Sequence, residues 1–287
     1  MRLVHDLGKF IELRDAALEL PLWRYVYGGK PKPFFHPLCT PAGHCLTLFE
    51  PHDHVWHRGL WFTIKFINGE NFWEERPPFG VQVTIAPPTV APDGEALLVS
   101  SRLSWKRPHD AGEVFDESRR FTYRPIDDQC YAIDFETTLT PLSELLLDRT
   151  PFTTWGGYGG LTFRGNRNWM KSRLLFADGT TSDRPTPKIS EWCDLSGLLD
   201  GGLQQSGGVA IFDHPTNPRH PTPWYGGTGP GHYFNAAFLF NEPMRLSAGQ
   251  VLRFNYRVLV HDGIWERDRL HVAYERWLAD SAACSEG

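Results

Sequence analysis

Short runs of alternating or wholly apolar residues, separated by Gly, Pro and Asp, recur along most of the chain. KFIEL (9–13), LWRYVY (22–27), LWFTIKFI (60–67), VQVTIA (81–86) and ALLVSSRLSW (96–105) are brief and rich in β-branched or aromatic residues, as strands are. RRFTYR (119–124) and YAIDFETTLT (131–140) flank PIDDQ, a turn segment, and predict a hairpin. Within the second of these, Tyr131, Ile133, Phe135 and Leu139 share one parity while Asp134 and Glu136 have the other, so the strand is half buried. GLTFR (160–164), GVAIFD (208–213), AAFLF (236–240) and RFNYRVLVH (253–261) predict further strands. Helical spacing occurs in WERDRLHVAYERWLAD (265–280), whose apolar stripe of Trp265, Leu270, Ala273, Tyr274, Trp277 and Leu278 suits packing on a sheet or a partner chain. Two Pro/Gly-rich segments, 184–202 and 213–234, are too aromatic for linkers and read as long irregular loops. The expected architecture is all-β, a large antiparallel β-sandwich with a C-terminal helix, as one domain over residues 1–287.

Composition narrows the partners. The 287 residues suffice for a large core, and the net charge of −5 with no Lys/Arg block provides no electrostatic footprint for nucleic acid. No apolar run approaches the ~20 residues of a membrane span. The N-terminus, MRLVHDLGKFIELRD, is charged too early for a signal peptide, so a soluble cytoplasmic protein is expected. Five cysteines with no CxxC spacing read as scattered thiols of a reducing compartment. Aromatic content is high, with 11 Trp, 9 Tyr and 19 Phe. Most will fill the core, but Trp56, Trp61, Trp73, Trp155, Trp192 and Trp224 lie beside His, Arg or Asp, where an aromatic face can stack on a sugar.

The densest polar cluster is HDHVWHRG (52–59). With Asp53 or Glu50, the histidines His52, His54 and His57 can hold a divalent metal such as Mn, Fe, Zn or Cu, although HxHxxH is no strict signature. The same residues can instead form a polar cluster tied by His–Asp hydrogen bonds, or carry protons.

Four segments together resemble a known family: PFFHPLCTPAGHCLTLFEPHDHVWHRGLWFTIKFINGENFW (33–73), YGGLTFR (158–164), GVAIFDHPTNPRHPTPW (208–224) and VLVHDG (258–263). They are similar to the methane oxygenase PmoA-like family from about residue 20 to about residue 265. The resemblance implies the β-supersandwich of galactose mutarotases and a role beside sugar catabolism. Its DHxxHRG pattern falls on Asp53, His54, His57, Arg58 and Gly59, and its other polar positions fall on His36, Arg164, Asp213, His214, Asn217, Arg219 and His261. The chain departs from the family pattern at His52 and Trp56, where Pro and His are common.

Sugar chemistry needs groups of these types. A hemiacetal opens when a base takes the anomeric proton and an acid protonates the ring oxygen. Histidine suits both roles, with an unperturbed pKa of about 6.5. Arginine can hold an oxygen as charge develops, and the same set serves β-elimination from a keto-sugar. The leading expectation is therefore an epimerase/mutarotase or lyase/hydrolase acting on a small carbohydrate, with a divalent metal as the one cofactor the residues suggest. His54, His57, Arg58 and His261 would be catalytic, with Glu74, Asp213 or Asp262 as the carboxylate base. His36, Trp73, Arg164, His214, Asn217, Arg219 and Trp224 would bind substrate, all converging on one concave sheet face. The loop DHPTNPRHPTPW can equally be a structural corner, its prolines stiffening turns capped by Asp and Asn. TWGGYGG (154–160) lacks a P-loop Lys and is no phosphate cradle. Two alternatives stay open: a metal-dependent enzyme, including an oxygenase, using His52, His54 and His57, and a non-catalytic sugar-binding module. The C-terminal helix would also suit a homodimer.

Overall fold

The computed structural model describes residues 1–16, 19–151, 158–199, 205–229 and 231–285; Trp155 and most of TWGGYGG lie outside these. Among the described residues, strands form a nine-stranded and a ten-stranded antiparallel sheet and a smaller four-stranded one. The all-β antiparallel class with a C-terminal helix is as expected. The hairpin around PIDDQ joins Glu113–Asp127 to Cys130–Pro141, with Phe121 opposite Phe135 and Tyr123 opposite Ile133.

The two large sheets face each other across one continuous apolar core. Alternation along each strand supplies it: Leu60, Phe62 and Ile64 point in from one sheet, and Ile133, Phe135 and Val258 from the other. Aromatic contacts bridge the gap, with Phe62 and Phe135 ring centres 6.1 Å apart and Trp23 and Phe121 5.6 Å apart edge to face. The helix Arg267–Ser285 begins two residues later and runs five further than the spacing predicted. Its Leu270, Tyr274 and Trp277, with Trp265 just before it, pack on Ala132, Ala210, Phe212 and Leu259, the outer face of the ten-stranded sheet. Among the described residues no helix is long and apolar enough to cross a membrane.

Two expectations are corrected. The segment 184–202 is not one long loop, because Thr186–Ile189 and Trp192–Leu198 are strands. Trp192, Cys193 and Leu195 are buried there, and Pro187 is tolerated because its strand ends the nine-stranded sheet. Conversely, AAFLF is a strand only at Ala236, and the chain then turns, with Phe240 N donating to Ala237 O at 2.8 Å.

One charge pair lies wholly inside the core. Glu117 and Arg119 are 0% and 1% exposed. Glu117 accepts from Arg119 Nε at 2.7 Å, Thr137 Oγ1 at 2.6 Å and Trp105 Nε1 at 2.6 Å, and Arg119 also donates to Gln82 at 3.1 Å. Removing one partner strands the other charge. Glu117→Ala is expected to cost about 3–5 kcal/mol in urea unfolding. A loss under about 1 kcal/mol, typical of an exposed pair, would contradict this placement.

Candidate functional site

The central strands of the nine-stranded sheet are buried on both faces. Leu60–Ile64 is buried at every position, as is Gly159–Arg164. Residues directly opposite in an antiparallel ladder share a face, so the pairs Phe34↔Trp61, Trp61↔Thr162, Thr162↔Asn235 and Arg164↔Tyr233 define the side turned away from the core. On that side Phe34, Trp56, Trp61 and Trp73 form a second apolar cluster, with Phe49, Tyr158 and Tyr233 against it.

The HDHVWHRG segment closes over this cluster. Phe49 and Arg58 form an isolated bridge, and Glu50 N donates to His57 O at 2.9 Å. Between them the chain makes two successive turns, with His54 N bonded to Pro51 O at 2.9 Å and His57 N to His54 O at 2.8 Å. These turns bring the imidazoles of His54 and His57 within 4.7 Å, centre to centre. Gly59 ends the loop at φ +73°, where an added Cβ would meet Phe35 O at 2.4 Å. Arg58, buried, bonds Glu50 through Nη1 and Glu75 through Nη2, and also donates from Nε to Glu75 at 3.0 Å. Lys32 Nζ lies 2.9 Å from Glu75 and donates to Trp73 O at 2.9 Å. Burial raises the Glu75 carboxyl, but the Arg58 and Lys32 charges overcome that and hold it below the usual range.

A cleft of about 440 Å³ opens beside this loop, lined by His54, Trp56, Trp73, Glu74, Arg76 and Tyr158 among others. Trp73 and Tyr158 stack at 4.7 Å, and the Arg76 guanidinium lies 4.8 Å over Trp56. Glu74 is paired with Lys65, and Asp53 with Arg167. His54 Nδ1 sits 3.3 Å from Asp53 Oδ2, an ion-pair distance without hydrogen-bond alignment. Beneath His54 in the sequence of contacts comes His57, 4% exposed, stacked on Tyr233 at 5.4 Å and beside Trp61 at 5.1 Å. Burial, then the nearby Arg164 charge, drives its pKa well below 6.5, so the ring is neutral at pH 7. His57 Nδ1, Trp61 Nε1, Tyr233 Oη and Arg164 Nε are buried with no hydrogen-bond partner. The carboxylate nearest Arg164 is Asp53 at 4.0 Å, already held by Arg167. Such a set has hydrogen-bonding capacity that a polar ligand can use.

The other expected site residues lie elsewhere. His261, on the ten-stranded sheet, is 0% exposed; its Nε2 is 3.0 Å from Asp194 and its ring stacks on Trp265 at 4.6 Å. Convergence of His54 and His261 is thus not found, because His261 serves a buried His–Asp pair. Arg58 is not free to hold a substrate oxygen, since its guanidinium is taken by two carboxylates. His36 bonds Thr47 Oγ1 at 2.9 Å, stacks on Phe49 and does not line the cleft; burial pushes its pKa down to about 4. The DHPTNPRHPTPW loop is a structural corner. Asn217 and His220 bond Asp213, Arg219 donates to Phe238 O at 2.9 Å and to Pro243 O at 2.8 Å, His214 packs on Trp277, and Trp224 is in the core. Of the carboxylate candidates, Glu74 alone lines the cleft; Asp213 caps that corner and Asp262 accepts from Ala42 N. His52 is exposed, and among the described residues no three His, Cys, Asp or Glu side chains form a metal-ligand set, so the triad of His52, His54 and His57 is not assembled. Tyr158 and Tyr233 were not anticipated. The alternation of Tyr233 and Asn235 with the core residues Phe234 and Ala236 carried the signal for Tyr233.

The chain belongs to the family of unknown function DUF6807. The family's profile matches residues 16–275. This corrects the PmoA-like resemblance, since the profile covering those motifs is DUF6807 and no PmoA-like profile matches. Comparison with curated proteins finds no match. Among solved structures, the chain is similar to the heparan sulfate lyase HepC from Pedobacter heparinus, at 9% identity and TM-score 0.41, covering 92% of this chain and 37% of that one. It is similar to the heparinase III-BT4657 gene product at 11% identity and TM-score 0.41, covering 93% and 36%. The chain thus spans little more than a third of the length of these two proteins. A GalM/aldose epimerase homologue from C. elegans matches at 8% identity and TM-score 0.35, covering 91% of this chain and 98% of that one.

The neutral, buried His57 has a pH consequence. Its folded pKa lies below its unfolded value near 6.5, so the unfolded chain binds the extra proton. Its stabilising contribution is fully present above the unfolded value and is lost as pH falls from there toward the folded pKa. Urea unfolding should show wild type losing more stability than His57→Gln between pH 7.5 and pH 5.5. Equal losses in the two proteins would contradict a neutral His57.

Proposed function

We propose that the outer-face cleft binds a small carbohydrate and processes it by acid–base chemistry, with His54 and Glu74 as the proton-carrying groups. The observation that carries this reading is an aromatic wall, Trp73 stacked on Tyr158 beside Trp56, that shares one cleft with an imidazole and a carboxylate. Its volume, about 440 Å³, falls in the about 300–1,000 Å³ range of small-molecule sites. Aromatic faces suit the C–H face of a sugar ring, and an imidazole is the commonest general acid or base. Arg164, His57 and Tyr233 are outside the cleft lining, so substrate contact falls to His54, Glu74, Arg76 and the aromatic wall.

A second reading, a sugar-binding protein without turnover, has its own support. Glu74 is paired with Lys65 and Asp53 with Arg167, so each carboxylate at the cleft is already engaged by a cation.

The test is a panel of sugars and keto-sugars, with binding read from tryptophan fluorescence and turnover from mutarotation and elimination assays. His54→Ala and Glu74→Gln are each expected to lower turnover by at least about 10²-fold while binding persists. Binding with no turnover on any sugar would favour the second reading. No binding by any sugar would overturn both.

A further inference from the structure

Cys39 and Cys45 stand directly opposite each other at an isolated antiparallel bridge. Thr40 N donates to His44 O at 2.9 Å, and Leu46 N to Leu38 O at 2.9 Å. The bonds come from the neighbours, not from the two cysteines, so this is a non-hydrogen-bonded pair, with Cα atoms about 4.5 Å apart and side chains on one face. That separation lies within the about 4.4–6.8 Å that disulfides span. Both thiols are free; Cys39 is buried and Cys45 exposed. Cys45 Sγ also lies 3.5 Å from Thr47 O and 3.7 Å from Thr47 Oγ1.

We infer that Cys39 and Cys45 form a reversible disulfide site that low-molecular-weight disulfides oxidise. Exposure sets the order of events. The Cys45 thiolate attacks one sulfur of a disulfide such as oxidised glutathione, giving a mixed disulfide and one released thiol. Cys39 then gives up its proton, and its sulfur attacks Cys45 Sγ and expels the second thiol. Two protein thiols are oxidised and one external disulfide is reduced to two thiols, so no other reactant is needed. The thiol chemistry agrees with these roles. Contact with Cys39 and hydrogen bonds to Thr47 bring Cys45 down to about 6, whereas contact with Cys45 and burial push Cys39 up. Cys130 and Cys193 are buried and pushed up by burial, and serve as unreactive controls. The bridge would staple the turn that leads to Thr47, which bonds His36 and packs on Gly59 at the foot of the cleft loop.

The experiment treats the protein with oxidised glutathione, blocks free thiols and reads tryptic peptides by mass spectrometry. No Lys or Arg lies between Cys39 and Cys45, so one peptide carries both. That peptide is expected to lose two hydrogens, reversibly with dithiothreitol. Cys39→Ser should retain glutathione on Cys45, and Cys45→Ser should take up none on Cys39. Wild type that keeps both thiols, or that retains the adduct as stably as Cys39→Ser does, would overturn the inference.

Discussion

Arg58 is the interaction on which the outer-face cleft depends. One side chain, 3% exposed, bonds Glu50 at the start of the cleft loop and Glu75 just after Trp73 and Glu74. The two segments it joins both line the cleft, one with His54 and Trp56 and the other with Trp73, Glu74 and Arg76. Lys30 extends the network to Glu50 at 2.7 Å, and Lys32 ties Glu75 to the Trp73 carbonyl. Removing Glu75 would leave the Arg58 and Lys32 charges desolvated beside the cleft. In the motif, the arginine thus joins the segments that line the cleft, and of the histidines His54 lines it.

A second constraint explains why there is a cleft on this face at all. Sheet-on-sheet packing consumes one face of each sheet, and the helix covers the far face of the ten-stranded one. The nine-stranded sheet is left with central strands that are buried on both sides, with Thr162, Arg164 and Asn235 on the outer one. Loop 49–58 and the Trp73 segment cover that outer face with aromatic rings, but they bury Arg164, His57 and Tyr233 without pairing all of their polar atoms. Buried polar groups without partners carry a cost in stability.

Much of this was readable from the chain and some was not. Strand alternation announced the antiparallel all-β class, since period-two patterns reflect which side faces the core. Residues His54, His57 and Trp73 stood out because polar and aromatic types crowd together there. Polarity alone, however, does not separate a side chain that faces a ligand from one that satisfies a fold. His214, Asn217 and Arg219 look like a sugar rim but bond turn residues and carbonyls, and His261 is matched by Asp194, 67 positions away. Tyr158 and the Cys39–Cys45 pair gave no signal, because their importance lies in contacts across strands rather than in spacing along the chain.

The most direct measurement is hydrogen–deuterium exchange with and without the tightest-binding sugar of a screened panel. The account predicts that protection concentrates in 49–58, in 71–76 and in the segment from Tyr158 to Arg164. Protection confined to the 213–224 corner, or to the face under the C-terminal helix, would contradict it and place binding away from the His54 and Trp73 cleft.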